Sequence, residues 1–454
     1  MSRRSFHSTP LRARLQPSAW PIRRESGLSS LVLDFVGDRY RAGTVERTDL
    51  AAIGITTTRA SALGYFNRIG VFTLSGNDES PIDHDPVTLQ RKGLLLAPGR
   101  TNGFRNPRFE GAVVGTPGTF PTYAIASSLG TIAANIVAFG TVNGMPYVDV
   151  QYVGTTNATG ADLYIPEPSN VIASANGQTW TASFYCALVA GSFANVSNLN
   201  IALLKYPGGA VFGSAPNLVS SIDGTMRRFT GATGTINDVS NTHVQPRIST
   251  SWANGAAINF TLRYAGIQCE QGPDASPLIL PAMAAPAATT RPAASVILAG
   301  TPWLNASEGT MVVTARSTVN GGLSTVRVLF GLGNTGVPSF NESLYLEQNA
   351  TGQLSATVVS GGGVTSQVSV SGLTLTSRYR TAVAWKANDY GLVVNGSAGA
   401  PDTSGALPTG MDRLVLGGAP WTPTDNSFNG WIERIEFHPR RMAAAELLQA
   451  GGAP

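Results

Sequence analysis

Glu433 and Glu436, three residues apart in Glu433-Arg434-Ile435-Glu436, are the chain's nearest approach to an acid–base pair. Glycoside hydrolysis needs two carboxyl groups roughly 5–10 Å apart, flanking one sugar bond. In a regular strand an i, i+3 spacing sends side chains to opposite faces, so this pair is not expected to be catalytic. His7, His84, His243 and His438 lie far apart, and none falls in a recognisable nucleophile–base arrangement. No G-x-S-x-G, H-E-x-x-H or phosphate-cradling glycine loop occurs. Asp83-His84-Asp85 has the residue types of a metal site, but no further ligand follows nearby, and Asp-Pro there reads as a tight turn. Asp389, Asp402, Asp412 and Asp425 would hold calcium only if their loops converged, so neither a metal nor a cofactor is predicted. The expectation is a protein that is not an enzyme.

Binding asks for less. Sugar-binding sandwiches stack aromatic rings on pyranose faces and reach hydroxyls with Asn, Asp or Arg. Five residues are the glycan-contact candidates: Tyr185 and Trp252 in mid-chain, then Tyr345, Trp421 and Asp425. Trp421 stands in Pro420-Trp421-Thr422-Pro423-Thr424-Asp425-Asn426, which reads as a loop, where an aromatic is hard to explain as core. Trp180, Phe184, Trp385 and Trp431 lie in alternating runs and are assigned to core.

Those residues need a scaffold, and composition says which kind. Only 13% of the 454 residues are charged, so the Glu and Lys that cover helices are scarce. Glycine (51) and proline (28) are plentiful, as turns between short strands require. The fold class expected is all-β: a small N-terminal β module followed by two β-sandwiches. The length suits two or three domains, since single cores rarely outgrow about 250–300 residues.

A basic arm is expected over residues 1–25, with Arg3, Arg4, Arg12, Arg14, Arg23 and Arg24. No aromatic ladder or recognition helix accompanies it, so it reads as a docked or flexible tail, and nucleic acid is not an expected partner. No apolar core of about 7–15 residues follows it, and no run approaches ~20 apolar residues, so neither a secretory leader nor membrane insertion is expected. Cys186 and Cys269 fall in alternating strands and are expected as buried, reduced thiols.

Along the chain, a small β segment is expected over 26–103, including Leu31-Val32-Leu33-Asp34-Phe35 and Gly93-Leu94-Leu95-Leu96. A sandwich over 104–275 contains Trp180–Ala187, whose alternation puts Trp180, Ala182, Phe184 and Cys186 on one face. Residues 276–295 hold several prolines among alanines and read as a stiff spacer. A second sandwich fills 296–454. Its clearest signal is the hairpin Tyr379–Lys386 and Tyr390–Val394, then a turn at Asn395-Gly396. Gly361-Gly362-Gly363 reads as a hairpin tip, and Ala443–Leu448 as a short terminal helix.

Four ordered phrases add a resemblance. Thr58-Arg59-Ala60-Ser61, Asp83-His84-Asp85-Pro86-Val87-Thr88, Gly93–Leu96 and Arg100-Thr101-Asn102 resemble a segment of bacteriophage structural proteins of the tail-fibre or appendage type. Thr289–Ala294 resembles a linker phrase of the same proteins. Asn102–Gly111 with Trp180–Ala187 resembles carbohydrate-binding jelly rolls, and Gly309–Arg316, the Tyr379–Gly396 hairpin and Phe428–Phe437 resemble concanavalin A-like, laminin-G-like sandwiches. The resemblance implies a virion protein made and assembled in the bacterial cytoplasm. Its N-terminal region would dock on other virion proteins, its sandwiches would bind bacterial surface glycan, and it would form a homo-oligomer, with a trimer as the expected form. Two alternatives accompany it: a capsid decoration or head-fibre protein making protein contacts, and a polysaccharide-degrading glycosidase.

Overall fold

The computed structural model describes residues 29–323, 325–337 and 341–454; the basic arm and His7 lie outside them. The chain is all-β, with one α-helix, Ala444–Ala450, among the described residues. Two antiparallel sandwiches account for nearly all of it.

The middle of the chain forms one sandwich. One sheet runs Ala133–Val142, Met145–Thr155, Ala257–Gln271, Thr179–Ser192, Arg227–Thr235. The other runs Ile125–Ser127, Gly160–Ile165, His243–Trp252, Val196–Tyr206, Ala210–Ser214, with Ile172–Ala173 beside His243–Trp252. Trp180, Ala182, Phe184 and Cys186 share the core face, as the alternation requires. Both cysteines are free, and burial pushes their thiols well up.

The second sandwich departs from the expected plan. Its larger sheet contains Glu308–Ser317, Tyr379–Lys386, Asp389–Val394 and Gly430–His438, but continues onto Leu31–Asp34, Arg39–Ala42 and Val45–Arg47. Leu31 pairs with Phe437 and Leu33 with Ile435; further along the same strand, Leu94 pairs with Ile432. In the opposite sheet, Ile55–Thr58 adds to Ser295–Ala299, beyond Arg413–Leu416, Arg327–Gly333, Ser343–Gln348, Leu354–Ser360 and Gly363–Val370. The N-terminal strands of three to six residues are too short to bury a face alone. Leu31, Leu33, Phe35, Ile55, Leu94 and Leu96 instead enter the core of Met311, Val313, Leu346 and Trp385. The strands within residues 31–47, Ile55–Thr58 and the strands within residues 82–96 are therefore part of the second sandwich and not a separate module, and the first sandwich is an insertion within it.

The insertion is held by a neck, where Arg100–Asn102 pairs antiparallel with Thr289–Arg291. Residues 276–295 are not an extended spacer. Leu278 and Ile279 are buried, and so is Arg291, whose guanidinium donates to the Pro277 and Pro98 carbonyls at 2.7 and 3.1 Å and to Ser276 Oγ at 2.9 Å. Prolines give up their N–H but keep their carbonyls, and a buried arginine uses them. Asn102 saturates its amide: Nδ2 donates to Ile267 and Ile279 carbonyls, each at 3.2 Å, and Oδ1 accepts from Phe104 and Cys269 N–H, each at 3.1 Å. Arg59 is likewise buried, donating to the Ser61 carbonyl and Ser75 Oγ at 2.8 and 2.7 Å. The phrases that carried the resemblance are thus largely joinery.

Local readings hold where they rest on local chemistry. Gly361 and Gly362 take φ of 61° and 82° between paired Ser360 and Gly363, a two-residue hairpin turn. Asn395 and Gly396 do the same at 48° and 83°. Asp85 Oδ1 accepts from Val87 and Thr88 N–H at 2.9 and 2.8 Å, closing the Asp-Pro turn. The terminal helix packs Leu447 on Ala382, Ala384 and Val393, on the outer side of the larger sheet.

Candidate functional site

The outer face of the smaller, seven-stranded sheet brings together two of the five sequence candidates, Tyr345 and Trp421. Strand alternation buries Leu344 and Leu346 in the core and turns Tyr345 and Glu347 outward. Their cross-strand partners are Thr357 and Ser355, and beyond those Gln367 and Ser369. On the other side of Tyr345 stands Gly331, and two residues on, Gly333. A Cβ at these positions would stand 2.6 and 2.8 Å from Pro420, so the two glycines are what lets the 419–427 loop lie on the sheet. Arg413 ties the loop down by donating to the Pro420 carbonyl and, at 3.4 Å, to that of Trp421.

That docking presents Trp421. Its ring meets Tyr345 edge-on, 5.2 Å between centroids at 74°, over Val328, Val359 and Ala419. Trp421 is half-buried, whereas Tyr345 is 7% exposed. Burial, then nearby Glu347, pushes the Tyr345 phenol up to about 12, so it stays a neutral hydrogen-bonding group. Burial also raises Glu347, against a weak 3.4 Å hydrogen bond donated by Thr357 Oγ1, and Gln367 Nε2 donates to that hydroxyl at 3.0 Å. The result is an aromatic ridge beside a polar floor.

The other candidates lie elsewhere. Asp425 is exposed at the far end of the Trp421 loop, along an open cleft of about 1110 Å³ between the sandwiches that Arg100 and Trp180 also line. Trp252 is 3% exposed and belongs to the core of the inserted sandwich, so it is not a glycan platform. It follows the alternation of His243–Trp252, a signal that could have removed it. Tyr185 faces away from that core, as its register requires, but is covered at the junction by Phe66, Phe72 and Leu278.

Trp431 is not core: it is half-buried, donates from Nε1 to Asp83 Oδ2 at 2.8 Å, and carries Lys92 Nζ 4.4 Å from its ring centroid. Glu433 and Glu436 do not lie on opposite faces. A bulge between the Thr314 and Ala315 pairings falls at Glu433, so both carboxylates reach the outer face beside Arg380. Each has a cation: Glu433 takes Arg378 at 2.6 Å, and Glu436 takes Arg434 and, at 3.5 Å, His438. Burial alone would raise Glu436, yet His438 and Arg434 hold it below the usual carboxylate range.

Among the described residues no three His, Cys, Asp or Glu side chains converge on a metal position. Asp83 accepts from Phe66 N–H and Trp431, Asp389 pairs with Arg441, Asp402 holds the Ser404 turn, and Asp412 accepts from Thr335. Among the described residues no helix is long and apolar enough to cross a membrane.

No protein-family model and no curated protein matches the sequence. Among solved structures, the chain is similar to the sialidase carbohydrate-binding module of Ruminococcus gnavus bound to sialyllactose. That match has 21% identity and a TM-score of 0.28, over 32% of this chain and 83% of that one. A leech intramolecular trans-sialidase matches at 20% identity and TM-score 0.28, over 33% of this chain and 24% of that enzyme. A Limulus polyphemus pentraxin matches at 9% identity and TM-score 0.26, over 32% and 70%. The proteins to which this chain is similar thus include carbohydrate-binding β-sandwich modules.

Proposed function

We propose that this chain is a non-catalytic glycan-binding protein of a phage tail fibre or similar appendage, contacting bacterial surface sugar through the Trp421 face. The observation that carries the reading is the Trp421–Tyr345 pair. A half-buried indole, braced edge-on by Tyr345, offers a stacking surface, and the exposed Gln367 on the same sheet face offers a polar partner. The placement on a virion, docking through the N-terminal region and assembly as a homo-oligomer rest on the ordered phage-like phrases. The absence of catalysis is supported by Glu436, which is held ionised and offers no proton to a leaving group.

The test is binding of the full chain to an array of bacterial surface glycans, alongside adsorption to host cells. Trp421→Ala should remove binding. Turnover of host polysaccharide into reducing sugar would replace the reading with the glycosidase alternative. Decoration of a capsid is favoured by one observation: Ile125, Val137 and Phe139, on edge strands of the inserted sandwich, are 58%, 41% and 51% exposed. Firm capsid attachment without any glycan binding would select it.

A further inference from the structure

Where the hairpin Gly64–Phe66/Phe72–Leu74 meets both sandwiches, a second pocket of about 490 Å³ opens, within the range of small-molecule sites. Tyr65, Phe66, Tyr185 and Trp431 supply aromatic walls, and Lys92 and Arg228 supply positive charge. Phe66 and Tyr185 lie 6.1 Å apart, and Arg228 sits 5.7 Å over the Tyr185 ring. Asp83 and Asp85 are part of the wall, set against Lys92, Arg227 and Arg228. The Asp83 carboxylate already accepts from Phe66 N–H and Trp431 Nε1, both at 2.8 Å, with Lys92 Nζ at 3.4 Å, and Asp85 Oδ1 accepts from Val87 and Thr88 N–H.

Two residues of the lining each carry a buried polar atom with no hydrogen-bond partner: Asn429 at Oδ1 and Arg228 at Nε. Asn429 is fully buried. Its amide nitrogen donates to Asp274 Oδ2 at 2.7 Å and the Ala275 carbonyl at 3.2 Å, so the amide cannot turn over without losing both bonds. Its oxygen is left as an acceptor needing a donor. Arg228 spends Nη2 on Ser183 Oγ at 2.9 Å, leaving Nε as a donor needing an acceptor. Buried polar atoms are nearly always paired, so the two unpaired ones describe what is missing.

We infer that this junction pocket binds a monosaccharide-sized acidic sugar. A carboxylate answers Arg228 and Lys92, ring hydroxyls answer Asn429 Oδ1, and an apolar sugar face lies on the aromatic walls. A neutral aromatic ligand would leave both unpaired atoms unmet, and a cation would face Lys92 and Arg228. This site is separate from the Trp421 face and does not depend on it. Because its walls come from both sandwiches and from the 275–278 segment that leaves the insertion, occupancy also ties them together.

The test is calorimetric titration of the full chain with glucuronate and galacturonate, and with glucose as the neutral control. Uronates should bind at least about tenfold more tightly than glucose, as a charge-assisted contact requires. Arg228→Gln, which removes the hydrogen bond to Ser183 and the contact over the Tyr185 ring, should lower uronate affinity about tenfold while the protein still melts cooperatively, its midpoint shifted only by what those contacts are worth. Trp421→Ala should leave uronate binding intact, which separates this site from the surface one. Equal affinity for glucose and uronate, no binding of either, or full uronate binding by R228Q would overturn the assignment.

Discussion

Asp274→Asn tests whether the two sandwiches are one interlocked body. Asp274 lies on the segment leaving the insertion, and Arg327 lies in the second sandwich; their side chains are 4% and 5% exposed. The carboxylate accepts from Arg327 Nη1 and Nη2 at 2.8 and 2.6 Å, from Asn429 Nδ2 at 2.7 Å, and from Thr318 Oγ1. Asparagine keeps the volume but leaves Arg327 buried without its counter-charge. Removing one partner of a buried pair costs ~3–5 kcal/mol. Asp274 Oδ1 is also 3.7 Å from Arg100, whose other carboxylate is Glu270 at 3.7 Å. Losing Asp274 therefore relieves one cation of a partner it can replace, and the lower end of that range is expected.

The pH dependence has a definite sign. Burial would raise the Asp274 pKa, but Arg327, Thr318 and Asn429 hold it below its ordinary value of 3.8. A carboxylate depressed on folding contributes stability above its unfolded pKa and loses it as pH falls through the folded value. The parent and D274N should therefore differ fully at neutral pH and begin to converge only as pH falls below 3.8 toward the lower folded value. Urea unfolding followed by tryptophan fluorescence, across pH 3–8, measures this. A neutral-pH loss under about 1 kcal/mol, or scattering that shows two tethered bodies, would refute the interlock.

On the proposed glycan face, Trp421→Ala should abolish glycan binding yet cost well under the ~3–5 kcal/mol expected for Trp385→Ala in the core; comparing their unfolding midpoints decides it. Gly331→Ala should weaken glycan binding with both aromatics intact, because the new Cβ, 2.6 Å from Pro420, lifts the loop that presents Trp421; array binding of the variant reads this out. Glu347→Gln should stabilise the protein at neutral pH. A carboxylate raised on folding loses stability as pH climbs past its ordinary 4.5, so the gain should vanish in acid, as thermal melts at pH 3.5 and 7.5 would show.

Much of the local structure was legible. The core face of Trp180–Cys186, the Asp85 turn, the glycine hairpin tip and the Asn395-Gly396 turn all follow from neighbours within a few residues. Trp421 was legible as a loop aromatic, and its contact with Tyr345 was not. Trp252 lies on the core face that the alternation of His243–Trp252 already marks, so its place was legible in the strand pattern although not in its residue type. Glu433 and Glu436 were placed on opposite faces because a regular period was assumed, and the bulge that unites them is set by pairing with Glu308–Ser317.

By itself the sequence determined an all-β chain, its strands and most of its turns, because side-chain alternation and turn chemistry act over a few residues. Only the tertiary structure decided that the first strands complete the last sandwich, with Asp34 bonded to Arg434 400 residues later. It alone decided that Leu278, Ile279 and Arg291 of the proline-rich stretch are buried, and that seven stretches distant in sequence enclose the junction pocket. Strand partners and buried charges are chosen by which edges and cations remain unsatisfied in the assembled fold, and no local pattern carries that information.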